Sequence, residues 1–269
     1  MDWSKTKSIF IIVFAILNIF LYSLYLERYN AGQRLEELTI PSIDEKLELE
    51  NITYDELPEN VENQAYLTGK KKLFVANDVP GVDLQMNTTN ENALIVTFDE
   101  PLPLSGDPSE EVLTEFVEET IYAGNDYVFW KMDEEEQEAV FFQELNGKPL
   151  FYSDNGLLTL HFNKDAKVTH YEQTLFENVE EAELQKKVIP PLQAIHTLYQ
   201  RQVLKPDTHI DSAALGYTEY VTVSENTVMF LPTWRIRATL SDGSKDEYFV
   251  NAIKDGVVEV KKDEIELEE

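Results

Sequence analysis

Residues 9–26 read IFIIVFAILNIFLYSLYL, eighteen positions without a charge and with Asn18 and Ser23 as the clear polar breaks. A helix rising about 1.5 Å per residue covers roughly 27 Å over such a run, close to the ~30 Å hydrocarbon thickness of a bilayer. The run predicts a transmembrane helix, and the rest of the chain is sorted by the side on which it falls. A signal peptide is the poorer reading, because its apolar core is usually only about 7–15 residues long. No small-x-small cleavage signature follows directly, Ala31-Gly32 being a weak candidate. Lys5 and Lys7 precede the run, so residues 1–8 are expected in the cytoplasm and everything after residue 26 outside the cell membrane, a single-pass topology.

The formal net charge is −29, and the first 26 residues contribute +1 (Lys5 and Lys7 against Asp2), which leaves −30 on residues 27–269. Nucleic acid and anionic lipid surfaces call for clustered Lys and Arg, so this charge argues against both as partners. The chain has no cysteine. Thiol catalysis, thiolate metal sites and disulfides are thereby excluded, and the exported part must be held by its core. Hydrophobic residues at 43% and aromatics at 11% are more than a disordered segment carries, so that part is expected to fold.

Residues 27–64 read as a helical stalk followed by an acidic arm, in which residues 42–50 open with a capping pattern, Ser42 followed three positions later by Glu45. Residues 73–77 and 92–98 are strand candidates. Asp107, Pro108 and Glu110 then supply a cap, a first-turn proline and an acid for a helix reaching Ala123, with Gly124 to end it. Strands are predicted over residues 127–132, 139–145, 149–152, 157–162 and 168–175, and the pairs Asn146-Gly147 and Asn155-Gly156 are strong hairpin signals. A second helix is predicted over residues 181–204, broken by Pro190-Pro191. Strands resume at 217–223, 228–240, 248–253 and 257–261, with Pro232 marking an edge position or a bulge. The helix-then-strands order occurs twice, although no residue-by-residue repeat accompanies it. The fold class is α+β: antiparallel β-meanders with two main helices, divided into a first part over residues 65–180 and a second over residues 181–269.

Chemistry is sparse. No H-x-x-x-H, G-x-S-x-G, S-x-x-K or glycine-rich phosphate loop occurs. His161 and His170 are placed to face each other across a hairpin, but zinc takes three or four ligands, and no metal site is expected from two. Acid runs such as Glu134-Glu135-Glu136 lack an EF-hand pattern and read as a solvated face. Neither a cofactor nor an enzyme activity is expected. The most informative polar residue is Asn18, because an amide in hydrocarbon seeks a partner. Ile11, Ala15, Asn18, Tyr22 and Tyr25 fall on one helical stripe, where small Ala15 lets another helix approach. A cytoplasmic tail of eight residues holds no signalling domain, so any inward signal must pass through contacts of this helix.

Three stretches, MDWSKTKSIFIIVFAILNIFLYSLYLERYN, AIHTLYQRQVLKPDTHIDSAALGYTEY and FLPTWRIRATLSDGSKDEYFVNAIKDGVVEV, resemble the YycI (WalI) family of Gram-positive bacteria. The resemblance implies an extracytoplasmic α+β domain related to domains of YycH. It further implies a role with YycH in setting the activity of the YycG (WalK) sensor histidine kinase through transmembrane contacts, in control of cell-wall metabolism. That family is regulatory and offers no catalytic residues to transfer. The rival reading is a tethered extracellular module that captures a peptide or wall fragment.

Overall fold

The computed structural model describes residue 7 and residues 13–26, 42–59, 61–75, 84–86 and 92–260 of the chain. Its contacts gather into two compact units, Met1–Glu50 and Asn51–Glu269. The first unit holds a helix over residues 13–26 (α1) and a short helix α2, Ile43–Leu49. Helix α2 begins where the capping pattern predicts. The Glu45 amide donates to Ser42 Oγ at 3.1 Å, and the Ser42 amide donates to Glu45 Oε2 at 2.8 Å. The expected spanning helix of residues 9–26 is thus helical over 13–26, and residues 9–12 lie outside the described residues. Among the described residues no helix is long and apolar enough to cross a membrane.

The second unit is mixed α+β and mostly sheet. Its strands are β1 (Thr53–Tyr54), β2 (Leu67–Lys71), β3 (Leu84–Met86), β4 (Ala93–Pro103), β5 (Tyr127–Asp133), β6 (Glu138–Leu145), β7 (Lys148–Pro149), β8 (Leu157–Phe162) and β9 (Lys167–Thr174), followed by β10 (Phe176–Glu181), β11 (His209–Ser224), β12 (Thr227–Thr239), β13 (Lys245–Asn251) and β14 (Gly256–Val258). Helices α3 (Glu110–Thr120) and α4 (Pro191–Gln200) complete it. One sheet runs β1-β11-β12-β13-β14, with β2 pairing both β12 and β10; the other runs β3-β4-β9-β8-β6-β5, with β7 on β6. Strand β1 lies parallel to β11, and the other ladders are antiparallel, as the hairpin signals predict. Asn146 and Gly147 take φ of 51° and 70°. Two positive φ values are what the tight turn between β6 and β7 requires, and glycine adopts one without steric cost.

Alternation along β6 explains why it is buried on both faces. Ala139 and Phe141 join α3 residues Leu113, Phe116 and Val117 in one core, whereas Val140 and Phe142 pack on the other side against Phe151 and Phe249. Leu145 and Leu150 meet Tyr217, Val228 and Phe230 of the first sheet, so the two sheets share apolar clusters. Helix α4 packs on β12, β13 and β14, with Ala194, Ile195 and Leu198 fully buried.

Between the sheets lies Gln143, buried on β6. Its Nε2 donates to the Phe176 carbonyl and its Oε1 accepts from the Phe176 amide, each at 2.8 Å. Its own amide donates to Gly156 O, and its carbonyl accepts from the Leu150 amide, again at 2.8 Å.

Several boundaries differ from the sequence reading, each for an identifiable reason. Residues 182–190 are not helical: Gln64 and Lys186 exchange backbone bonds, the Ile189 amide donates to Ala252 O, and Trp234 Nε1 donates to Ile189 O. Two successive prolines also bias Ile189 and Pro190 away from helical ψ, and the helix begins only at Pro191. The strand expected at residues 73–77 instead ends at Lys71. Lys72 makes a last backbone bond to Leu175 O, and Phe74 turns into the α3 core; residues 76 and 77 lie outside the described residues. Residues 149–152 leave the β6 hairpin after Pro149, because the Phe151 amide crosses to Tyr217 O. The cap of α3 is Ser109, whose Oγ accepts from the Val112 amide at 3.4 Å, and not Asp107. The helix stops at Thr120, and Gly124 allows the chain to pass close beneath it: a Cβ there would lie 1.9 Å from Val117 O. Pro232 sits in a central strand. Its carbonyl accepts from the Ala252 amide on the β13 side, and N and O of one strand residue point the same way. The proline nitrogen therefore faces the break between the β2 pairing, which ends at Phe230, and the β13 pairing, which begins at Thr233.

Gln143→Leu keeps the volume and strands two buried groups of Phe176, each unmade bond costing about 1–3 kcal/mol. The variant is expected to lose about 2–5 kcal/mol of unfolding free energy, read from urea denaturation followed by tryptophan fluorescence.

Candidate functional site

Four of the five stripe residues, Ala15, Asn18, Tyr22 and Tyr25, lie on the exposed surface of α1; Ile11 lies outside the described residues. Asn18 Nδ2 donates to Phe14 O at 2.8 Å, and Ser23 Oγ donates to Ile19 O at 3.0 Å, both four residues back along the helix. The polar breaks of the apolar run thus spend a donor on their own backbone. A carboxamide has two N–H hydrogens and a carbonyl oxygen, so one such bond leaves Asn18 with capacity for a bond to a neighbouring helix.

The second sheet brings together the histidines that the hairpin spacing sets opposite each other. His161 on β8 is in register with His170 on β9, and Glu138 on β6 is in register with His161. All three project from the face turned away from α3. The imidazoles stack with centroids 4.0 Å apart and planes 4° from parallel. Glu172, two residues along β9 on the same face, supplies a third donor, and one ligand atom from each of His161, His170 and Glu172 lies within 4.8 Å of the others. Around this trio, Glu138 Oε1 is 3.0 Å from His161 Nδ1. Thr169, the extra residue of a bulge in the β8–β9 ladder, has Oγ1 3.0 Å from His170 Nδ1 and donates to His161 O at 3.1 Å. Burial holds the His161 imidazole below its ordinary pKa, with Glu172 pulling the other way. His170 is lowered by burial and by His161, against the pull of Glu172 and Glu138. Burial, with Glu136, Asp133 and Glu172, raises the Glu138 carboxyl. Hairpin spacing alone could find the two histidines. Glu138 and Thr169 were not legible, because the first comes from a strand separated from β8 by residues 146–156 and the second from a bulge.

A second constellation lies where the sheets meet. Arg235 on β12 places its guanidinium 4.4 Å from the Trp130 ring centroid and 5.1 Å from that of Phe151. Arg237 reaches the same indole at 5.9 Å. Tyr152 donates to Glu247 beside them. Burial and the neighbouring Arg237 lower the Arg235 pKa to about 10, and its buried Nε has no hydrogen-bond partner among the described residues. A third arrangement, Thr53 Oγ1 2.8 Å from His209 Nδ1 with Asp55 3.3 Å from His209 Nε2, follows a hydroxyl–imidazole–carboxylate order. The side chains of His209 and Asp55 are 41% and 64% exposed, whereas electrostatic catalysis works in a water-excluded site.

The family described as YycI protein matches residues 32–253, most of the chain. The chain belongs to the YycI family. That family is associated with regulation of the YycG (WalK) kinase system, and the match takes in the second resembling stretch and most of the third. The YycI match begins after α1, so the stripe lies outside it. No curated protein matches the chain. Among solved structures, the crystal structure of an uncharacterized protein from Eubacterium rectale ATCC 33656 aligns with a TM-score of 0.48 and 10% identity, over 78% of this chain and 91% of that one. The Bacillus megaterium YpeB C-terminal domain aligns with a TM-score of 0.42 and 11% identity, over 72% and 88%.

Removing the guanidinium of this YycI chain by Arg235→Ala is expected to cost about 1–2 kcal/mol, the range for a largely desolvated cation on an indole. The loss would be read from urea unfolding, and altered near-ultraviolet circular dichroism would report the change at Trp130.

Proposed function

We propose that this chain is an accessory regulator of a YycG (WalK)-type sensor histidine kinase. It acts with a YycH-like protein inside the membrane through Ile11, Ala15, Asn18, Tyr22 and Tyr25, in control of cell-wall metabolism. In this reading residues 1–8 are a cytoplasmic tail, 9–26 the spanning helix and 27–64 the stalk and arm, while 65–180 and 181–269 form the two parts of an extracytoplasmic domain. The family match over residues 32–253 carries the proposal. The helical, exposed apolar surface of residues 13–26 supports the route through the membrane.

A tethered binding module is the second reading, favoured by the partly open Arg235–Trp130 pair, whose guanidinium suits a carboxylate. The two readings separate in one experiment. Membranes holding the chain with its helix replaced by an unrelated one should lose the kinase in a pull-down; equal recovery with either helix would sink the transmembrane route and favour the module. Asn18→Leu is expected to weaken helix association in a membrane two-hybrid assay by about threefold, the equivalent of an average interhelical hydrogen bond of ~0.6 kcal/mol. An unchanged signal would reduce Asn18 to a passenger.

A further inference from the structure

We infer that His161, His170 and Glu172 form a binding site for a divalent transition-metal ion of the zinc class on the open face of the second sheet. The first support is the donor set. Two imidazoles and a carboxylate suit zinc, which in open sites takes three protein ligands and leaves a position for water. Their ligand atoms lie within 4.8 Å of one another. Metal bonds of about 2.0–2.2 Å bring donors to roughly 3.3–3.6 Å apart, a closure that small rotations of these side chains supply, Glu172 being exposed.

The tautomers are the second support, and they follow from hydrogen bonding alone. Thr169 Oγ1 gives its one proton to His161 O, so its contact with His170 Nδ1 holds only if that nitrogen carries the hydrogen. Glu138 as a carboxylate only accepts, so the nitrogen 3.0 Å from it, His161 Nδ1, carries the hydrogen as well. Each neutral ring is left with a bare lone pair on Nε2. Metal-binding histidines are held in this way, the other ring nitrogen donating to a carboxylate or another oxygen acceptor. The Glu172 carboxylate, within reach of a nitrogen of each ring, adds an anionic donor to these lone pairs. The surroundings favour a cation there: the Glu138 carboxylate lies 3.0 Å from His161 Nδ1, and the chain carries −29 overall.

The backbone makes the site specific to this face. His161 and His170 are cross-strand partners, and the bulge at Thr169 places the hydroxyl beside one ring while it bonds the strand of the other. A bound ion would staple β8 to β9. Chance stacking of two surface imidazoles would require neither Thr169 nor Glu138 in these positions.

The full-length chain, purified in detergent, would be titrated with Zn²⁺ against a chromophoric chelator. One saturable equivalent is expected. Glu172→Gln and His170→Ala should each weaken it at least tenfold, Thr169→Val by about tenfold as an outer-shell change, and His209→Ala not at all. Circular dichroism would check that each variant is folded; should His170→Ala fail, Glu172→Gln, an exposed isosteric change, decides alone. Nitrogen-15 spectra of the histidines should show Zn²⁺ on Nε2 with Nδ1 still protonated. Absence of a saturable equivalent, unchanged binding in Glu172→Gln, or coordination through Nδ1 would overturn the site.

Discussion

The two sheets depend on a side chain that behaves as a piece of backbone. Gln143 offers Phe176 one donor and one acceptor, as a neighbouring strand would, and so carries hydrogen-bond pairing from one sheet into the first residue of a strand in the other. Its main chain is engaged at the same time by Gly156 and Leu150. A buried amide with unmet groups is costly. Gln143 therefore fixes where three separate stretches of chain must come together, and the apolar clusters beside it, from Leu145 and Leu150 to Tyr217 and Phe230, then pack at a distance already set.

Local chemistry was legible where it is decided locally. The Ser42 capping box, the Asn146-Gly147 turn and the span of β8 at Leu157–Phe162 all follow from residues within a few positions of one another. What the sequence hid depends on partners far along the chain. Nothing in FFQEL distinguishes Gln143 from a solvent-facing glutamine, since its partner is 33 positions away. The acidic, helix-favouring stretch before Pro190 is drawn out of a helix by bonds to Gln64 and Ala252. Pro232 reads as an edge residue until the break between two neighbouring strands is known.

The same contrast governs the candidate sites. Helical spacing could propose the stripe on α1, and the structure adds that Asn18 and Ser23 turn toward their own backbone. Hairpin spacing could place His161 opposite His170, but Thr169 needed the bulge in that ladder and Glu138 the neighbouring strand β6. An acidic surface conceals such a cluster, because Glu138 and Glu172 look like any other glutamates in a chain with 51 acidic residues.

Strand β2 has a further consequence, one of timing. It lies between β10 and β12, with Leu67 paired to both Glu181 and Phe230. A chain made from its amino terminus has no neighbour for β2 until more than a hundred further residues have followed it. The other sheet is built largely from adjacent hairpins and can close sooner, since local pairings cost less chain entropy. During that interval β2 presents two unpaired edges, the kind of surface that invites mispairing. Its sequence, LTGKK, carries two adjacent lysines, residues that discourage pairing with a stray edge.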